Sequence, residues 1–140
     1  MTICVKDKKC LFWNNHQQSN VGAHSVRPTG EYALSHYGQV VKNGIENIMK
    51  YHPNVYVDKY VIMPNHIHMI IFLGECDKAV VPSISLIVKQ FKEYVTKTIG
   101  VSIWQKSFHD HIIRNRNSYL QIAEYIDKNP ELWMSDCFYI

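Results

Sequence analysis

Val55-Tyr56-Val57-Asp58-Lys59-Tyr60-Val61-Ile62-Met63-Pro64-Asn65-His66-Ile67-His68-Met69-Ile70-Ile71-Phe72-Leu73 is the stretch from which the fold is read. Val55 and Val57 alternate with Tyr56 and Asp58, Pro64-Asn65 interrupts, and His66 to Leu73 resumes an extended, apolar run. That pattern predicts two antiparallel strands joined by a tight turn. Upstream, Val41, Ile45 and Ile48 recur at helical spacing between about Leu34 and Tyr51, with Pro53 beyond as a stop. Downstream, Ile84, Ile87, Val88, Phe91 and Val95 mark a second amphipathic helix, opened by Ser83 or Ser85 and closed by Gly100. Thr2 to Val5 reads as a short strand, Lys6 to Lys9 as a turn and Leu11 to Trp13 as a return strand. Ile103 to Arg114 reads as a last strand, and Ser118 to Asn129 as a third helix capped by Asn117 or Ser118 and ended by Pro130. The order β, α, β, β, α, β, α predicts an α+β, ferredoxin-like split βαβ sandwich over residues 1–140. Its antiparallel sheet carries helices on one face, with one helix added at the C-terminus.

Length and composition narrow the function classes. The chain has 140 residues, 46% hydrophobic and 19% charged, which suits one globular domain and excludes a disordered tail or a repeat array. A (β/α)8 barrel needs about 200 residues or more. The longest apolar stretch, Met69 to Leu73, falls far short of the roughly 18 residues of a membrane span, so a cytoplasmic, nucleoid-associated protein with no membrane partner is expected. Cys4, Cys10, Cys76 and Cys137 form no C-x-x-C pair and read as reduced, mostly core thiols. The polar segment from Asn14 to Gly30 reads as a surface loop and as the best candidate for a mobile one. A net charge of +3 fits a polyanionic partner without demanding one.

Two histidine pairs stand out. On a strand the side-chain period is two, so His66 and His68 face the same side and two imidazoles converge on one point. Buried histidines must be satisfied by partners or by a metal ion. The same spacing also describes two half-exposed polar residues, and His109 and His111 repeat it, so spacing alone does not choose between the pairs. On the third helix Gln121, Tyr125 and Asn129 form one stripe beside the apolar stripe of Tyr119, Ile122 and Ile126. A tyrosine beside an apolar stripe is ordinarily core, so Tyr125 gains meaning only if the histidines lie near it. No G-x-x-x-x-G-K loop, H-E-x-x-H helix or G-x-S-x-G elbow occurs, which removes support for nucleotide hydrolysis, zincin and serine-esterase chemistry.

Taken together, Tyr60-Val61-Ile62-Met63-Pro64-Asn65-His66-Ile67-His68, Phe91-Lys92, the run Ile103 to Arg114 and Glu124-Tyr125-Ile126-Asp127-Lys128-Asn129-Pro130 resemble the single-tyrosine HUH transposases, in the REP-associated tyrosine transposase (IS200-like) branch. The resemblance implies a DNA strand transferase that nicks and rejoins single strands bearing hairpins through a 5′-phosphotyrosine intermediate. His66 and His68 match the family's histidine pair, Tyr125 its nucleophile, and Asn129 the position that completes the metal site. His109 and His111 fall outside the motif. Mg2+ or Mn2+ is the implied cofactor, because two imidazoles and an amide oxygen leave positions open for water and phosphate. Lys89, Lys92, Lys106, Arg114 and Arg116 are candidate phosphate contacts, each also readable as a solvated surface charge. Relatives include homodimers and monomers, and both arrangements stay open. Two further readings stand beside the enzyme: a non-catalytic hairpin-binding module of the same fold, and a small metal-dependent phosphodiesterase that uses water.

Overall fold

In the computed structural model, residues 1–14, 33–74 and 81–135 are described. The expected loop from Asn14 to Gly30, apart from Asn14 itself, and Cys76 and Cys137 lie outside them. Strand β1 is Thr2–Cys4, helix α1 His36–Tyr51, strand β2 Val55–Ile62, strand β3 His66–Leu73, helix α2 Ile84–Ile99 and helix α3 Arg116–Lys128, followed by a 3-10 segment, Asn129–Ser135. The sheet is antiparallel in the order β1-β3-β2. The hairpin read from the sequence is therefore present, with β1 laid against the outer edge of its second strand.

The expected last strand is only partly formed. Residues 103–109 run antiparallel along the remaining edge of β1 through two separate bridges, Val5 to Trp104 and Thr2 to His109. Thr2 N–H donates to the His109 carbonyl at 2.7 Å, and His109 N–H returns a bond to Thr2 at 2.9 Å. Between the bridges, three residue steps on β1 face five on the other chain segment, so a continuous ladder is impossible there. The surplus backbone is held by Lys92, whose ammonium donates to the Gln105 carbonyl at 2.8 Å and the Ser107 carbonyl at 3.2 Å. Leu11 to Trp13 is likewise no strand: Trp13 makes one isolated bridge, to Leu34.

Helices α1 and α2 form where the apolar spacing predicts them. Ser35 caps α1 by accepting from Gly38 N–H at 3.1 Å, and Ser83 caps α2 by accepting from Leu86 N–H at 3.2 Å. Gly100 ends α2 at φ 92°, a left-handed conformation that favours glycine. The two helices pack closely at Gly44, where an added Cβ would meet the Phe91 ring at 2.9 Å. Val41, Ile45, Phe91 and Val95 cover the sheet face that carries Ile67 and Met69, all within one buried core.

Helix α3 takes the opposite sheet face, so the helices do not all lie on one side. It starts at Arg116, because Asn115, rather than Asn117 or Ser118, supplies the cap by accepting from Ser118 N–H at 2.8 Å. Pro130 does not stop the helical path, which tightens into the 3-10 segment across it. A register shift between Val57 and Lys59 allows α3 to seat. Val57 pairs with Ile71 and faces α1 and α2, whereas Val61 pairs with His68 and faces α3, so an extra residue has switched the faces. At that bulge the Tyr119 hydroxyl donates to Asp58, and Lys59 donates to Asp127 at 2.9 Å. These bonds fix α3 to β2.

Candidate active site

His66 and His68 emerge from β3 under α3. Asn65, the last residue of the turn, orients the first: its amide nitrogen donates to the Lys8 carbonyl at 3.3 Å, leaving its oxygen 2.8 Å from His66 Nδ1. Nδ1 must then carry the proton, and His66 Nε2 presents a lone pair. Thr2 orients the second, with Oγ1 2.8 Å from His68 Nδ1. Both outer nitrogens being engaged, the two Nε2 atoms converge at 3.1 Å. Cis ligands at about 2.1 Å on an octahedral ion stand roughly 3.0 Å apart, so the spacing suits a shared divalent ion. His66 is fully buried, and burial holds its imidazole neutral, with the pKa pushed down to about 4. A neutral imidazole is the form that ligates metal.

The expected tyrosine lies beside them. The Tyr125 ring centroid is 5.3 Å from that of His68, edge to face, and its side chain is 45% exposed, so one flank reaches solvent while the other meets the histidine. Trp133, buried, lies 6.1 Å from His66 and walls the site on the far side. Asn129 lies midway in sequence between Tyr125 and Trp133, 2% exposed, and among the described residues its Oδ1 accepts no hydrogen bond. A buried amide oxygen left without a donor is costly, and it is the kind of ligand a hard divalent cation takes. Among the described residues no cluster of three or more His, Cys, Asp or Glu side chains forms. Two imidazole nitrogens and an amide oxygen are donors of the kind that would suit Mg2+ or Mn2+ with positions open.

The remaining sequence candidates separate. His109 and His111 are exposed, on the far side of Thr2 from His68. Arg114 and Arg116 line a cavity at the end of β3 beyond β1, whereas Lys89, Lys92 and Lys106 line an open groove of about 460 Å3 between α2 and residues 102–108. In that groove Lys92 is committed to backbone carbonyls, so its charge serves the fold. Thr2, Asn65 and Trp133 were not singled out from the sequence as site residues. A hydrogen-bonding partner for each histidine could be anticipated in kind, but only the β1–β3 register, Thr2 opposite His68, identifies Thr2.

An α+β sandwich with a convergent histidine pair and a tyrosine on the covering helix has the features of the single-tyrosine HUH class. Comparison with known proteins narrows this. No protein-family profile matches the chain. An uncharacterized protein of Haemophilus influenzae is 36% identical over 162 aligned positions, covering 100% of this chain and 83% of the relative, and the two belong to one family. A REP-associated tyrosine transposase of Escherichia coli is 32% identical over 93 positions, spanning 66% of this chain and 53% of that protein. The solved structure of a REP-associated tyrosine transposase bound to a REP hairpin shares the fold, with a TM-score of 0.61 at 24% identity over 92% of this chain and 63% of that one. The chain therefore spans about half to two thirds of the transposases it matches, and it resembles the REP-associated branch in both sequence and fold.

Proposed function

We propose that the chain is a metal-dependent strand transferase that nicks and rejoins single-stranded DNA at hairpin-containing repeats, with Tyr125 as nucleophile. The observation that carries this reading is the approach of Tyr125 to His68, 5.3 Å between rings, beside two Nε2 atoms converging at 3.1 Å. The solved relative is described as bound to a REP hairpin, which supports a hairpin substrate here.

His66, His68 and Asn129 would hold Mg2+ or Mn2+, which when bound supplies Lewis-acid polarisation of the scissile phosphate. Everything else falls to the chain. Asn65 holds the His66 proton on Nδ1, and Thr2 fixes the His68 ring with its Nε2 turned inward. Trp133 and Ile70 exclude water from the protein side of the site. The Tyr125 oxygen attacks phosphorus, a new phosphotyrosine bond forms, and the bond to the 3′-oxygen breaks. The phenol proton passes to solvent, which the exposed flank of the ring reaches, and the departing 3′-oxygen takes one up. One phosphodiester replaces another, so attack by a 3′-hydroxyl reverses the step and rejoins the strand without a nucleotide cofactor. Lys89 and Lys106 are suited to the phosphates of a hairpin stem.

The test is incubation with a labelled pool of hairpin-bearing single strands and Mn2+, followed by denaturing electrophoresis and mass spectrometry of the protein. A covalent adduct at Tyr125, lost in Tyr125→Phe and in His66→Ala, is expected. Cleavage without adduct would indicate a hydrolase, and binding with neither would indicate a binding module.

A further inference from the structure

Along β3 the period of two continues from His66 and His68 to Ile70 and Phe72, which face the same side of the sheet. Along the edge of β3 beyond β1, this end of the strand, the start of α2 at Ile84, residues 110–116 and the first turns of α3 surround a cavity of about 660 Å3. Its size is that of a small-molecule or single-nucleotide pocket, roughly 300–1,000 Å3. Ile70 and Ile122 are part of its apolar lining, and Phe72 and Tyr119 supply rings 6.5 Å apart and inclined at 43°. Phe72 is 52% exposed and the neighbouring Ile112 68% exposed, so apolar side chains are displayed to solvent here. Arg114 and Arg116 stand at its border with Asp110, the single carboxylate in the lining among the described residues. Apolar walls with aromatic faces inside and guanidinium groups outside are complementary to one ligand chemistry in particular, a nucleobase attached to a phosphate backbone.

We infer that this cavity is a base-binding subsite: it takes one unpaired base of the strand being cut, with Arg114 and Arg116 on the adjoining phosphates. The inference rests on the strand-transferase reading for the identity of its ligand. The spacing agrees with it. From His68 to Phe72 the strand advances about 13 Å, so the cavity lies a short step along a single strand from a phosphate held at the histidines, and Ile70 and Phe72 line it from the histidine face. The site would select for single-stranded DNA at this flank, because a paired and stacked base has no free face for Phe72.

The test uses a 20-nucleotide single strand of randomised sequence carrying fluorescein and 5-iododeoxyuridine, with an unmodified duplex of equal length as control, in chelator. Ultraviolet crosslinks are expected to map to Phe72 or Tyr119. Phe72→Ala is expected to weaken binding of the single strand about tenfold and leave the duplex unchanged, while Phe72→Trp, which keeps a ring, restores it. Arg114→Ala is expected to weaken both and reduce the salt dependence. Crosslinks elsewhere, with unchanged affinity in Phe72→Ala, would overturn the subsite. So would loss of self-association in Phe72→Ala with strand affinity intact, since the occupant would then be a second copy of the chain. The two readings fail separately: adduct formation at Tyr125 that is indifferent to Phe72 removes the subsite alone, and crosslinks at Phe72 without any adduct remove the transferase alone.

Discussion

The Thr2 hydroxyl lies 2.8 Å from His68 Nδ1, joining residues 66 positions apart in the chain. The first strand thus does more than extend the sheet: it orients one of the two imidazoles. Because Thr2 also exchanges two backbone bonds with His109, its position is fixed from both sides.

Replacing Thr2 with valine keeps its shape and removes the hydroxyl. Loss of such an outer partner typically costs 10–100-fold in metal affinity or activity. Thr2→Val is expected to lower the rate of adduct formation by roughly that factor while leaving hairpin affinity, followed by fluorescence anisotropy, unchanged.

Metal binding has a readout independent of DNA. A ligand that binds only the folded state stabilises it by about 2.7 kcal/mol at one hundred times its Kd. Mn2+ is expected to raise the Tm of the chelator-treated protein by several degrees, with no rise in His66→Ala and a reduced one in Asn129→Leu. In the absence of metal Asn129→Leu should be at least as stable as the parent, because among the described residues its buried Oδ1 has no donor to lose. An unchanged Mn2+ response in Asn129→Leu would remove that residue from the ligand set.

Acid should destabilise the metal-free protein in a defined window. The His66 pKa falls from 6.5 to about 4 on folding through burial, so between those values the unfolded chain binds a proton that the folded chain does not. The contribution of neutral His66 is complete above pH 6.5 and declines as pH drops to about 4, by on the order of 3 kcal/mol in total. Urea unfolding at steps across this range should show that slope, and a His66→Gln variant should show it diminished.

Two lysines one turn apart should behave differently. Lys92→Met removes charged hydrogen bonds to the Gln105 and Ser107 carbonyls and is expected to cost roughly 1–3 kcal/mol of stability. Lys89→Met, at an exposed position, should leave stability within about 0.5 kcal/mol and weaken DNA binding. Equal loss of stability in both would contradict the role given to Lys92.

The hairpin, the first two long helices and the caps of the second were legible because each rests on local signals, a period of 2 or 3.6 and, for the second helix, a serine and a glycine at its boundaries. What eluded the sequence depends on partners distant in the chain. Asp58 reads as one more outward residue of β2 until the bulge, seated under Tyr119, switches the strand's faces. Ile103 to Arg114 alternates well enough for a strand, yet its mismatch with the short β1 breaks the ladder. Asn115, Asn117 and Ser118 are chemically equivalent caps, and the seating of α3 selects the first. In the site, the H-x-H pair was legible as a pair, but its choice over His109 and His111 came from resemblance. In the structure Tyr125 lies against His68, 5.3 Å between ring centroids.

The location of α3, on the sheet face opposite α1 and α2 and after both of them in the chain, bears on the birth of the protein. Strands β1 to β3 and both helices of the other face lie within the first 99 residues, so the imidazole pair and its Thr2 partner can assemble before residues 116–128 leave the ribosome. The phenol that would attack DNA is added only when residues 116–128 dock over a finished sheet through Asp58 and Lys59. A nascent chain that ends before residue 116 would thus carry the histidine pair without Tyr125, a consequence of the order of elements alone.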